Sequence, residues 1–138
     1  MSARSTLHAL LLALILLVSA CAKDEMAIAA ITELDALTDD IVATVAAAED
    51  KRAGVAEAQA KLDAKRAELG PQMQEVLGLR GFQVNEETKK RVETSLIDNT
   101  LKMVSLEADL LIATTTDPEL RAALDKLTCD HEALLDGK

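Results

Sequence analysis

Aromatic side chains are almost missing from this chain. Its 138 residues contain no Trp, no Tyr and a single Phe, Phe82. Strands draw on aromatic and β-branched residues in alternating runs, and no such run stands out, which excludes a sheet as the main architecture. Proline and glycine are scarce too, at two and five residues, so helix-breaking signals are few. Basic charge is short: 15 Lys and Arg stand against 24 Asp and Glu. A surface of that sign argues against nucleic acid, whose phosphates need a basic face. It also offers no basic patch to anionic lipid headgroups. Reactive side chains are the scarcest class. Beyond residue 21 there is one histidine, His131, and one cysteine, Cys129. No phosphate loop, nucleophile elbow or zinc motif is present.

What the chain does contain divides at residue 21. Residues 1–20 hold one charged side chain, Arg4, and no acid. They include the apolar run Leu7-His8-Ala9-Leu10-Leu11-Leu12-Ala13-Leu14-Ile15-Leu16-Leu17-Val18. A basic start followed by such a run has the order of an export signal. The run falls short of the roughly 20 apolar residues that a transmembrane helix needs, and polar, acidic chain follows it.

Leu17-Val18-Ser19-Ala20-Cys21 ends that run and resembles the lipobox of bacterial lipoproteins. The resemblance covers residues 1–21 only. It implies that residues 1–20 are a removed signal peptide and that a lipid joins the Cys21 thiol as a thioether. A peptidase then cuts between Ala20 and Cys21, and the new amino terminus is acylated. The residue types suit that chemistry: Ser19 and Ala20 are small enough for a narrow protease site, Val18 is an apolar handle, and Cys21 supplies the nucleophile. Val18 stands where leucine is commonest in the family. Two acyl chains suffice for stable attachment, because each buried methylene contributes about 0.8 kcal/mol. Ala22, not aspartate, follows the cysteine, which in the family implies the outer membrane, facing the periplasm. Ala20-Cys21-Ala22 also fits the small-x-small rule of ordinary signal cleavage, with a cut after Ala22. If Cys21 is lipidated, Cys129 has no partner within the chain. If Cys21 is retained without lipid, a Cys21–Cys129 disulfide is open to it in an oxidising compartment. Removing residues 1–20 takes away one base, leaving 14 bases against 24 acids, a net charge of −10 on residues 21–138.

The lipid-anchored part reads as helix nearly throughout. Leu34, Ile41, Ala48, Val55, Leu62 and Leu69 fall one heptad apart, flanked by Ile31, Leu37 and Val45. This predicts one long helix over about 24–69, or two joined near Gly54, with close contacts through alanine. Gly70-Pro71 predicts a stop, followed by a short helix over 72–79. Asn85 is a good N-cap for a helix over 86–114. Val92, Leu96, Met103, Leu106 and Leu110, with Ile97, Leu101, Val104 and Leu111, predict a broad buried face for it. Thr114 to Asp117 breaks that helix. Thr116 with Glu119 forms a candidate capping box, and Pro118 suits the first turn of a last helix over 117–135. Its stripe is Leu120, Leu124, Leu127, His131 and Leu134. The expected fold is all-α, a long helical hairpin or a three- to four-helix bundle with coiled-coil-like packing. Residues 51–69 are basic between acidic ends, a pattern that can set the register of antiparallel helices.

Candidate chemistry is thin. Residues two apart sit about 200° around a helix, so Cys129 and His131 do not converge on a metal or form a nucleophile pair. Cys129 reads as a packing residue or an exposed thiol, and His131 as a half-buried histidine. Asp39-Asp40, Glu49-Asp50 and Glu86-Glu87 are neighbours on solvated helix surface and weak general acid–base pairs. Met26 and His131 resemble the Met and His ligands of periplasmic four-helix cytochromes of the b type, which makes a haem or ligand carrier the alternative reading. The small murein lipoproteins likewise combine a lipobox cysteine with a terminal lysine joined to peptidoglycan, and Lys138 ends this chain. Residues 135–137 are unlike that family's basic, aromatic ending. The function expected is non-enzymatic: a cell-envelope lipoprotein with covalent lipid on Cys21, no other cofactor and no metal. It would meet the membrane through the anchor, and a protein partner or a second copy through its helical body.

Overall fold

The computed structural model describes the backbone of residues 3–81 and 83–138 and the side chains of residues 22–81 and 83–138. The expectations for the signal peptide, for cleavage at Ala20 and for Cys21 lie outside the described side chains. Five helices occur, with no strand among the described residues. They are α1 (Ala3–Ala47), α2 (Lys51–Gly78), α3 (Glu86–Asp109), α4 (Leu111–Thr116) and α5 (Pro118–Leu135).

Cross-helix contacts set the topology. Lys61 Nζ meets Asp40 Oδ1 at 2.9 Å and Lys23 pairs with Glu75, so α2 runs antiparallel to α1. Asn85 bonds Asp24, Arg91 bonds Asp35 and Lys102 pairs with Asp39, so α3 runs parallel to α1. Arg52 pairs with Asp117 and Arg66 with Asp130, so α5 runs parallel to α2. The result is an up-down-up-down four-helix bundle. The α1–α2 hairpin forms its spine, α3 lies on α1 and α5 on α2, while α3 and α5 barely touch. Basic side chains of α2 thus reach acids on both α1 and α5.

Five of the six heptad residues form the core, while Ala48 lies half-buried in a turn. Leu34, Ile41, Val55, Leu62 and Leu69 are all buried, together with Ile31, Val45, Met73 and the α5 stripe Leu120, Leu124, Leu127 and Leu134. They do not form one helix. The chain reverses at Ala48 to Asp50, ahead of Gly54. Asp50 Oδ1 accepts the N–H of Arg52 at 2.9 Å and of Ala53 at 3.3 Å, capping α2. Lys51 Nζ donates to the carbonyls of Val45, Ala46 and Ala48 at 2.8–3.1 Å, closing the end of α1. Gly54 then packs against α1 so closely that a Cβ there would lie 2.5 Å from Ala48 Cβ. A heptad thus carries over a helical hairpin because the turn preserves which side faces the partner.

Three further expectations are corrected. Gly70-Pro71 does not stop the helix, since α2 runs through both to Gly78. Pro71 removes one backbone donor, but it is solvent-exposed, so water can serve the freed carbonyl. Gly70 has no Cβ to clash with the proline ring. The helix expected over 86–114 is interrupted at Leu110 (φ −94°, ψ 0°) and resumes as the short α4. Asp117, not Thr116, caps α5, accepting from the N–H of Glu119 at 3.1 Å and Leu120 at 3.0 Å.

The last correction concerns α3. Met103, Leu106 and Leu110 are buried, and Val92 and Leu96 are half-buried. Val104, Leu101, Ile97 and Leu111 face outward, with exposures of 54% to 63%. The face of α3 that meets α1 is polar instead. Asp35 Oδ1 on α1 accepts Ser95 Oγ at 2.5 Å and Asn99 Nδ2 at 2.7 Å, and its Oδ2 accepts Arg91 Nη2 at 3.2 Å. Arg91, Ser95 and Asn99 recur every four residues and reach one carboxylate. A charge-assisted network outcompetes an apolar face here because Asp35 leaves only a quarter of its side chain to solvent.

Candidate functional site

His131 sits at the centre of the bundle with 1% of its surface exposed, deeper than the half-buried position expected. Its Nε2 lies 2.8 Å from Thr38 Oγ1 on α1. The Thr38 hydroxyl donates its proton to Leu34 O at 3.0 Å, so it accepts the imidazole Nε2–H. That assigns a neutral Nε2–H tautomer. Burial pushes the imidazole down from its ordinary value of 6.5 to about 4, because a charged ring would lose its hydration with no acid to replace it.

Met26 is half-buried against the core near the start of the bundle. Thr38, the level of His131, lies twelve residues further along α1, about 18 Å at 1.5 Å per residue. The fold therefore does not bring Met26 and His131 to a shared iron. Cys129 is exposed and free, on the side of α5 opposite the buried His131. Among the described residues no three His, Cys, Asp or Glu side chains group as a metal site.

The carboxylate pairs have structural work. Asp39 pairs with Lys102, Asp40 with Lys61 and Glu86 with Lys89, and Asp50 caps α2. Asp130 is a hub the sequence did not reveal: it accepts Lys126 Nζ at 2.6 Å, Gln59 Nε2 at 2.9 Å and Arg66 Nη1 at 3.1 Å. The bond from Lys126 does most to hold its carboxyl below the ordinary value.

Lys138 is exposed, and its Nζ meets Asp136 Oδ2 at 2.8 Å, a bond that raises its pKa. Its neighbour Gly137 (φ 70°) lies against the backbone of Gln74 near the end of α2. Because Lys23 pairs with Glu75, α1 enters the bundle at this same pole. The chain's last residue and the segment following Cys21 are therefore neighbours.

Where α3 and α5 part, an open groove of about 510 Å³ remains. Leu96, Met103 and Val104 line one wall, Thr128, His131 and Leu135 the other, and Leu77 closes one end. Exposed Glu107 on α3, Glu132 on α5 and Asp136 just past the end of α5 also line it. Sequence reasoning missed this groove because it placed the apolar residues of α3 in the core. The signal was present as a second stripe on α3, the polar row Arg91, Ser95 and Asn99.

No protein-family model matches the chain, and neither a curated protein nor a solved structure matches it. Among residues 22–81 and 83–138 no helical stretch is long and apolar enough to cross a membrane.

Proposed function

We propose that this chain is a lipoprotein of a bacterial cell envelope, anchored through lipid on Cys21, whose acidic helical bundle engages a partner protein without catalysing a reaction. One observation carries the reading: Leu17-Val18-Ser19-Ala20-Cys21, a small pair and a cysteine directly ending an apolar export run. Residues 21–138, net charge −10, supply the body that the anchor holds, in the periplasm and most naturally at the outer membrane. Two features of the body support an interaction role. Outward-facing Ile97, Leu101, Val104 and Leu111 form a contiguous apolar row, which marks interaction surfaces on soluble folds. His131, the one imidazole of the body, is committed to Thr38 in the core.

Mass spectrometry of the mature amino terminus tests the anchor. A diacylglyceryl thioether on Cys21, absent in Cys21→Ala, is the expected result. An unmodified chain starting at Lys23 would overturn it. The position of Lys138 bears on the peptidoglycan reading: a tether there would leave from the pole where α1 enters, on the lipid side of the body.

A further inference from the structure

The four-helix bundle has three closed seams and one open one. Each closed seam carries cross-helix ion pairs: Lys61–Asp40 and Lys23–Glu75 between α1 and α2, Arg91–Asp35 and Lys102–Asp39 between α1 and α3, and Arg66–Asp130 between α2 and α5. Among the described residues none joins α3 to α5. Acids line that seam from both sides instead, Glu107 on α3, Glu132 on α5 and Asp136 just past the end of α5. Glu107 and Glu132 form no ion pair among the described residues, and Asp136 meets only Lys138 at the chain's end. Leu96, Met103, Val104 and Leu135 make the walls between these acids largely apolar, with Thr100, Thr128 and His131 interspersed. The apolar surface then continues around α3 onto Leu101 and Ile97.

The groove follows α3 from Leu96 to Glu107, three turns and about 17 Å. An apolar trough of that length between two helices is the shape that receives the apolar face of another helix. We propose that the α3–α5 groove is the docking site for an amphipathic helix of a partner protein with basic residues flanking its apolar stripe. The partner's leucines would cover Val104, Met103 and Leu135, and its Lys or Arg side chains would supply the missing counter-charges to Glu107 and Glu132. A second copy of this chain suits the groove poorly, because residues 21–138 of every copy bring net charge −10 and α3 itself carries Glu93, Asp98 and Glu107 around its apolar row. The inference rests on the reading of the bundle as an interaction module and names the chemistry of what it binds.

The test uses the full chain purified in a mild nonionic detergent, which holds it with or without lipid on Cys21, with detergent alone as the blank. A labelled helical peptide with Leu at i, i+3, i+4 and i+7 and Lys on both flanks is titrated by fluorescence anisotropy. Its twin with Glu for Lys is titrated in parallel. The expected result is saturable binding of the Lys peptide, at least tenfold tighter than its twin and weakened by salt. Glu107→Lys with Glu132→Lys, both on exposed positions, should leave the circular dichroism unchanged and reverse the preference. Val104→Asp should weaken both peptides. Equal binding of the twins, or no binding above the blank, would overturn the proposal. So would a dimer in sedimentation that Leu101→Asp abolishes, since the apolar face would then belong to a second copy. Failure of the peptide titration leaves the thioether on Cys21 untouched, and an unmodified Cys21 leaves the peptide result standing, so the two readings fail separately.

Discussion

Protonating His131 should destabilise this bundle by a definite amount over a definite pH range. The imidazole is buried, neutral and bonded to Thr38, with its pKa lowered from 6.5 to about 4. Above pH 6.5 both folded and unfolded chains hold it neutral, so it contributes no pH dependence. Between 6.5 and 4 the unfolded chain binds a proton that the folded chain excludes, so stability falls as pH falls, by about 1.4 kcal/mol per unit. Below 4 both states are protonated and the loss is complete at about 3 kcal/mol, a large share of the 5–15 kcal/mol typical of a domain. The perturbation is His131→Leu. It removes the titration while leaving the Thr38 hydroxyl bonded to Leu34 O. At pH 7 the lost hydrogen bond and the added apolar contact should offset to within about 1 kcal/mol. Urea unfolding of residues 22–138, which contain every core residue among those described, can be followed by far-ultraviolet circular dichroism. At pH 4.5 the variant should be more stable than the natural chain by about 2 kcal/mol relative to its standing at pH 7. Because both chains share the same carboxylates, the difference isolates His131. Parallel stability curves for the two, or an imidazole titrating near 6.5 by NMR, would refute the reasoning.

Other perturbations follow from the packing. Gly54→Ala places a Cβ 2.5 Å from Ala48 Cβ. It should destabilise by about 1–2 kcal/mol net of the helix-propensity gain, read as a lower urea midpoint at constant slope. Pro71→Ala should stabilise by about 1–2 kcal/mol in the same assay, since α2 is already continuous there and regains a backbone donor. Asp35→Ala leaves the Asn99 amide, Ser95 and Arg91 without their shared acceptor. It should cost about 2 kcal/mol and speed amide hydrogen exchange in α3 more than in α2.

Much of this fold was legible in the chain. Leu34 and Ile41 on α1, Val55, Leu62 and Leu69 on α2, and the stripe Leu120, Leu124, Leu127, His131 and Leu134 on α5 all become buried faces, because within each helix a period near 3.6 is local. The α5 start at Pro118 and the Asn85 cap are similarly local, resting on side chains that bond backbone donors two or three residues on. Where two local signals competed, the chain was ambiguous. Gly70-Pro71 reads as a stop, yet packing of Leu69, Met73 and Val76 holds α2 together across it. Ala48 to Asp50 carries no glycine or proline, yet the chain reverses there, because Lys51 and Asp50 satisfy both helix ends and Gly54 permits close approach. The α3–α5 groove was not legible, since the residues of α3 announce two faces and only α1 selects between them.

The sequence by itself determined three things: the helical class, the acid surplus, and the apolar run of residues 7–18 just ahead of Cys21. Each follows from composition, local period or a contiguous motif. Tertiary structure alone decided where α1 ends, that Arg91, Ser95 and Asn99 turn inward to Asp35, and that Ile97, Leu101 and Val104 turn outward. It also decided that His131 is neutral and buried rather than a free ligand. These depend on what another helix presents across a gap of a few ångströms, and burial, charge pairing and pKa are properties of that neighbour as much as of the residue.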